Sequence, residues 1–114
     1  KLPIAALSKI NQKLDPVILA AKKAVFNKGD KADSMYIIEF GHVEVVLDKP
    51  VKLGPGDYFG EMGLLGNTTR NATIRTLDEV KLLELTKEDL EELLEEHEVL
   101  FREIEDKISG INGK

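Results

Sequence analysis

The chain has 114 residues, no Cys, no Trp, 42% hydrophobic and 32% charged residues, and a formal net charge of -5. A chain of this length can close one core without cross-links, and zero Cys removes disulfides, thiolate zinc sites and redox chemistry at sulfur. The negative balance disfavours nucleic acid as a partner, and no apolar run approaches the roughly 20 residues that span a bilayer.

The chain opens on Lys1 with neither an initiator Met nor a signal-peptide pattern, so a cytosolic piece of a longer protein is expected. Pro3 suits a first helical turn, and Ile4, Leu7, Ile10 and Leu14 follow near helical spacing, which predicts a short amphipathic helix in an N-terminal segment over 1–16. Charge is uneven: residues 1–28 carry six Lys against Asp15, and residues 87–98 carry seven acidic residues against Lys87. Both stretches read as solvated surface. From 17 to 86 the pattern becomes short apolar runs at 25–26, 35–40, 43–47, 72–77 and 80–85, which read as strands. Asn27-Lys28-Gly29-Asp30, Gly41, Asp48-Lys49-Pro50 and Gly54-Pro55-Gly56-Asp57 separate them with residues suited to tight reversals, so a small barrel or sandwich is expected. Val43, Val45 and Leu47 alternate with more polar neighbours, and Val51 and Leu53 continue beyond the turn, which predicts one consistently inward apolar face. Thr86 with Asp89 three residues on is a capping-box pattern. Beyond it Leu90, Leu93, Leu94, His97, Phe101, Ile104 and Ile108 form one apolar stripe about five turns long, ending near Gly110.

Residues 56–73 interrupt this strand-and-turn pattern. One helical turn over 61–65, directly after Gly60, would leave the N–H groups of residues 60–63 converging on one spot with the positive end of the dipole behind them. Gly60 and Gly63 would let a ligand approach the backbone, Arg70 offers a planar fork suited to phosphate, and Glu61 is an acceptor suited to a sugar hydroxyl. An anion site, a guanidinium and a carboxylate beside an apolar β face describe a nucleotide.

Phe59-Gly60-Glu61-Met62-Gly63-Leu64-Leu65, followed by Arg70-Asn71-Ala72-Thr73, resembles the phosphate-binding cassette of the cyclic nucleotide-binding domain family. Lys28-Gly29-Asp30, residues 35–38 with Gly41, and Leu53-Gly54-Pro55-Gly56-Asp57 extend that resemblance over nearly the whole chain, and the short Asp48-Lys49-Pro50 turn is similar to the compact domain of bacterial cyclic nucleotide-gated potassium channels. The resemblance implies a mainly β fold: an antiparallel, jelly-roll-like β-roll with an N-terminal helix, a short cassette helix and C-terminal hinge and lid helices. It implies a single domain over 1–114, with the roll at 17–86 and the C-terminal helices at 87–110.

Carried onto this sequence, the family pattern has Arg70, Asn71, Ala72 and the N–H groups of Met62 and Gly63 holding the cyclic phosphate. Glu61 and Gly60 would hold the ribose, and Val45 and Val51 would pack on the base. The implied regulatory ligand is cAMP or cGMP, with cAMP favoured, although Asn71 itself is ambiguous between them. Ile108 and Ile111 stand where some members cap the base with an Arg or an aromatic residue. His42 and His97 are too distant to form a metal site, and no nucleophile, base or carboxylate pair falls in a catalytic pattern, so neither a metal nor an enzymatic activity is expected. The reading is a cytoplasmic regulatory module that passes ligand binding through its C-terminal helices to a parent channel or transporter, without contacting nucleic acid or entering the membrane itself. The alternatives are the sensor of a kinase regulator or transcription factor, and a β-roll docking module that binds no nucleotide.

Overall fold

The structure is a computed structural model that describes residues 2–3, 5–7, 14–66 and 68–110. Its strands are β1 (Asp15–Leu19), β2 (Ala24–Phe26), β3 (Lys31–Ala32), β4 (Met35–Phe40), β5 (Val43–Val46), β6 (Val51–Leu53), β7 (Tyr58–Phe59), β8 (Thr68–Thr69), β9 (Thr73–Thr76) and β10 (Val80–Leu85). A 3-10 helix (Glu61–Leu65) lies between β7 and β8, and two α-helices, α1 (Lys87–Glu96) and α2 (Glu98–Ser109), follow β10. The strands form two four-stranded antiparallel sheets, ordered β1-β10-β4-β7 and β2-β9-β5-β6, with β3 and β8 as a separate ribbon. This is the expected β-roll with flanking helices.

The two central strands of the first sheet are buried on both faces. Met35, Ile37, Leu83 and Leu85 face a core shared with the helices, while Ile38, Val80 and Leu82 face the interior of the roll beside Val43, Phe59 and Ile74. Double burial explains why 35–40 and 80–85 read as near-continuous apolar runs instead of alternating ones. At the turn after β4, Gly41 has φ 88 and lies so close to the Glu79 carbonyl that a Cβ would collide with it.

Three expectations need correction. Strand β1 begins at Asp15, inside the segment assigned to the N-terminal helix; Pro16 disguised it, and is tolerated because β1 is an edge strand. Residues 5–7 are helical and Leu7 and Leu14 are buried, whereas the rest of the expected helix, including Ile4 and Ile10, lies outside the described residues. The inward face of the second hairpin is graded: Val43 is buried, Val45 half-buried, and Leu47 and Val51 are exposed at 49% and 45%. It closes at the Val43 end and opens at the other.

The third correction concerns the C-terminal stripe, whose spacing reads as one run of about five turns: it is split at His97, where φ is -140 and ψ is 54, into the two helices that the family resemblance implies. A straight helix over 87–109 would be about 35 Å long at 1.5 Å per residue, matching the chain's longest extent of 35 Å. The break instead lets Leu90 and Leu93 of α1 and Phe101, Ile104 and Ile108 of α2 bury on one core with Leu2, Leu7 and Leu64. The capping box forms as expected: the Asp89 N–H donates to Thr86 Oγ1, and the Thr86 N–H donates to Asp89 Oδ2 at 2.9 Å.

Candidate functional site

A cavity of about 240 Å³ opens where β2, β5, β7, the 3-10 helix and the β8–β9 segment meet. Arg70 forms its centre. The turn before β3 fixes its backbone, since the Arg70 N–H donates to the Asp30 carbonyl at 2.7 Å and the Gly29 N–H donates to the Arg70 carbonyl at 2.8 Å. That turn is held in shape by the Asn27 N–H donating to Asp30 Oδ2 at 2.9 Å, which is the structural work of the Lys28-Gly29-Asp30 motif.

The Arg70 side chain is only 7% exposed. Its Nη1 donates to the Ser34 carbonyl at 3.0 Å and the Gly60 carbonyl at 3.3 Å, and its guanidinium carbon sits 4.1 Å from the Phe26 ring centroid. Its Nε is buried with no hydrogen-bond partner among the described residues. Thr68 Oγ1, also on the cavity lining, is a second buried polar atom without a partner among the described residues.

Both cassette glycines are required by this arginine. A Cβ on Gly60, where φ is 77, would lie 2.8 Å from Arg70 Nη1; one on Gly63 would lie 2.8 Å from the Ser34 carbonyl and 2.9 Å from Arg70 Nη1. The space expected to admit a ligand is therefore occupied in part by the guanidinium. The helical turn over 61–65 forms as expected but in 3-10 geometry, and the Gly63 N–H donates to the Gly60 carbonyl at 2.9 Å. That bond corrects the expectation of a free Gly63 donor, because an i to i+3 pattern uses the third N–H and leaves those of Glu61 and Met62 without a partner inside the helix.

Of the residues singled out from the sequence, the cavity lining brings together Gly60, Glu61, Met62, Gly63, Arg70, Asn71, Ala72 and Val45. Val51 is not among them; it faces Val45 across the β5–β6 pair, one strand further out. Ile108 is buried in the helical core and not on the cavity, and Ile111 lies outside the described residues. The sequence reading missed Phe26, Ala32, Tyr58, Thr68 and Ile74 of the lining, and Ser34 behind Arg70. Phe26 immediately precedes the Asn27-Lys28-Gly29-Asp30 turn, but nothing local links it to a residue 44 positions later.

Two networks surround the site. Glu84 Oε2 accepts from Ser34 Oγ at 2.7 Å and from Tyr36 Oη at 3.2 Å; burial first, then the Glu84 charge, raises the Tyr36 pKa. On the other wall Tyr58 Oη donates to Glu103 Oε2 on α2 at 2.7 Å, and burial followed by that hydrogen bond pushes the Tyr58 hydroxyl well above its ordinary value. Among the described residues no three His, Cys, Asp or Glu side chains are grouped to hold a metal, and no helix is long and apolar enough to cross a membrane.

The cavity thus combines, within a β-roll, a buried and incompletely satisfied arginine, a 3-10 turn and an apolar face. The sequence profile of the cyclic nucleotide-binding domain matches residues 16–97, and the chain belongs to that family. It is 42% identical over 92 residues to a cyclic nucleotide-gated potassium channel of Rhizobium etli, covering 80% of this chain and 26% of the channel. It is 34% identical over 102 residues to a cAMP-dependent protein kinase regulatory subunit of Emericella nidulans, covering 86% of this chain and 25% of the subunit. The chain thus spans about a quarter of the length of these relatives. Among solved structures, one from a cyclic-GMP-dependent signalling pathway of bacterial phytopathogenesis superposes with a TM-score of 0.77 at 25% identity, covering 93% of this chain and 90% of that one.

Proposed function

We propose that the chain binds a cyclic nucleotide, cAMP in preference to cGMP, in the Arg70 cavity, and relays that binding to a parent channel or transporter from its cytoplasmic side. The observation that carries this reading is the buried Arg70 with its unpartnered Nε. A buried donor left unmade costs about 1–3 kcal/mol, and an anionic ligand supplies the missing acceptor. In this reading Arg70 and the Glu61 and Met62 N–H groups hold the phosphate, with Asn71 and Ala72 completing that side. Gly63 serves chiefly to make room for the guanidinium. Glu61 takes the ribose 2′-hydroxyl beside Gly60, Val45 packs on the base, and Val51 stands at the rim.

Relay through the C-terminal helices is supported by two contacts. Leu64 of the cassette shares its core with Phe101, Ile104 and Ile108 of α2, and Tyr58 of the cavity wall is hydrogen-bonded to Glu103 of α2. Because α2 is fastened to the cavity walls by these contacts, a ligand that moves the walls also moves the helix. The effect is a population shift, with a coupling of about 1–3 kcal/mol between pocket and helix.

Isothermal titration of the 114-residue chain with cAMP, cGMP and AMP tests this. Micromolar or tighter cAMP binding, weaker cGMP and much weaker AMP is the expected result. No heat and no thermal shift with either cyclic nucleotide would overturn it and leave the docking module.

A further inference from the structure

Resting on that reading, we propose that Phe26 is the positioning residue for the phosphate anchor: its ring carries the Arg70 guanidinium as a cation–π platform, in the place a carboxylate would otherwise occupy.

An arginine buried to 7% exposure needs compensation, and buried guanidinium groups ordinarily find a carboxylate. Among the described residues no carboxylate forms an ion pair with Arg70. Glu84, the acid tied to its surroundings, accepts instead from the Ser34 and Tyr36 hydroxyls, and reaches Arg70 only through the Ser34 backbone. What surrounds the guanidinium is two carbonyl oxygens on Nη1, the Phe26 ring at 4.1 Å and, further out, the Tyr36 ring at 5.8 Å. The Phe26 ring is packed against Phe59 and Tyr36, at centroid distances of 5.8 and 6.0 Å, which holds it in place.

The chemistry of this arrangement favours anion capture. A carboxylate partner would neutralise the guanidinium and compete with an incoming phosphate for the same donors. A ring face orients the cation and offsets part of its desolvation while leaving its net charge and its Nε donor for a ligand.

The test compares Phe26→Leu, which keeps an apolar side chain without a π face, with Phe26→Tyr, which keeps the face. Each is titrated with cAMP, and the Arg70 Nε–H resonance is followed in ¹⁵N-labelled protein. Expected are a loss of roughly 3- to 30-fold in cAMP affinity for the Leu variant, near wild-type affinity for the Tyr variant, and an upfield, ring-shifted Nε–H signal that moves only in the Leu variant. Affinity of the Leu variant within twofold of wild type, or an equal loss in the Tyr variant, would overturn the platform. If the wild-type chain binds no cAMP, the nucleotide reading fails instead, and the Nε–H signal still reports whether Phe26 holds Arg70.

Discussion

Arg70→Ala separates a binding role from a structural one, because its effects on affinity and on folding differ in size. On the folding side the substitution removes two bonds from Nη1 to carbonyls, at 3.0 and 3.3 Å, and the contact with Phe26. At about 1.5–3 kcal/mol per hydrogen bond from a charged donor and about 0.5–2 kcal/mol for the cation–π contact, the loss is about 3.5–8 kcal/mol. Against this, it removes a buried unpartnered Nε, about 1–3 kcal/mol, and the desolvation of a cation that no carboxylate neutralises, which costs several kcal/mol. The two sides nearly cancel, so unfolding free energy from urea denaturation should change by no more than about 1–2 kcal/mol. On the binding side a charge-assisted phosphate contact contributes about 1.5–3 kcal/mol, so cAMP affinity by calorimetry should fall by roughly 10- to 150-fold. Unchanged affinity would refute the anchor assignment. A loss of folding stability above about 3 kcal/mol would show Arg70 to be principally a structural residue.

Glu61→Ala should weaken cAMP by about 10-fold or more while barely affecting 2′-deoxy-cAMP; equal losses for both ligands would remove Glu61 from the ribose role. Thr86→Ala breaks the capping box at the start of α1 and should cost about 1 kcal/mol in urea denaturation; no change would show that the burial of Leu90 and Leu93 alone holds the helix start. Tyr58 holds its proton more tightly in the folded chain than at its ordinary pKa of 10.0. Its contribution is therefore complete below pH 10 and is lost as pH rises above it, where the unfolded chain binds fewer protons. Tyr58→Phe should flatten that alkaline decline and speed nucleotide release through the lost Glu103 bond, and an unaltered alkaline profile would count against the assignment.

How much of this was legible in the sequence depended on whether the controlling contacts were local. Strands β4 and β10 could be read because burial on both faces leaves unbroken apolar runs, and the capping box because Thr86 and Asp89 are three residues apart. The two-residue strands β3, β7 and β8 are too short to show a period, and Pro16 hid an edge strand. The position of the split at His97 could not be read from spacing, because the apolar stripe keeps its period through the break; that there are two helices came only from the family resemblance. At the site, Gly60 and Gly63 were readable as points of close approach. What approaches them, Arg70 and the Ser34 carbonyl, is set by tertiary structure, as is the partnership of Phe26 with Arg70. The fading of the apolar face between Val43 and Val51 depends likewise on how the second sheet curves away from the first.

The most direct test of the central claim is a crystal structure of the chain with cAMP. A phosphate oxygen should lie about 3 Å from Arg70 Nε, with the ribose against Glu61 and the base on the Val45 face. Nucleotide bound elsewhere, or bound in the cavity while Arg70 keeps only its Ser34, Gly60 and Phe26 contacts, would contradict the account.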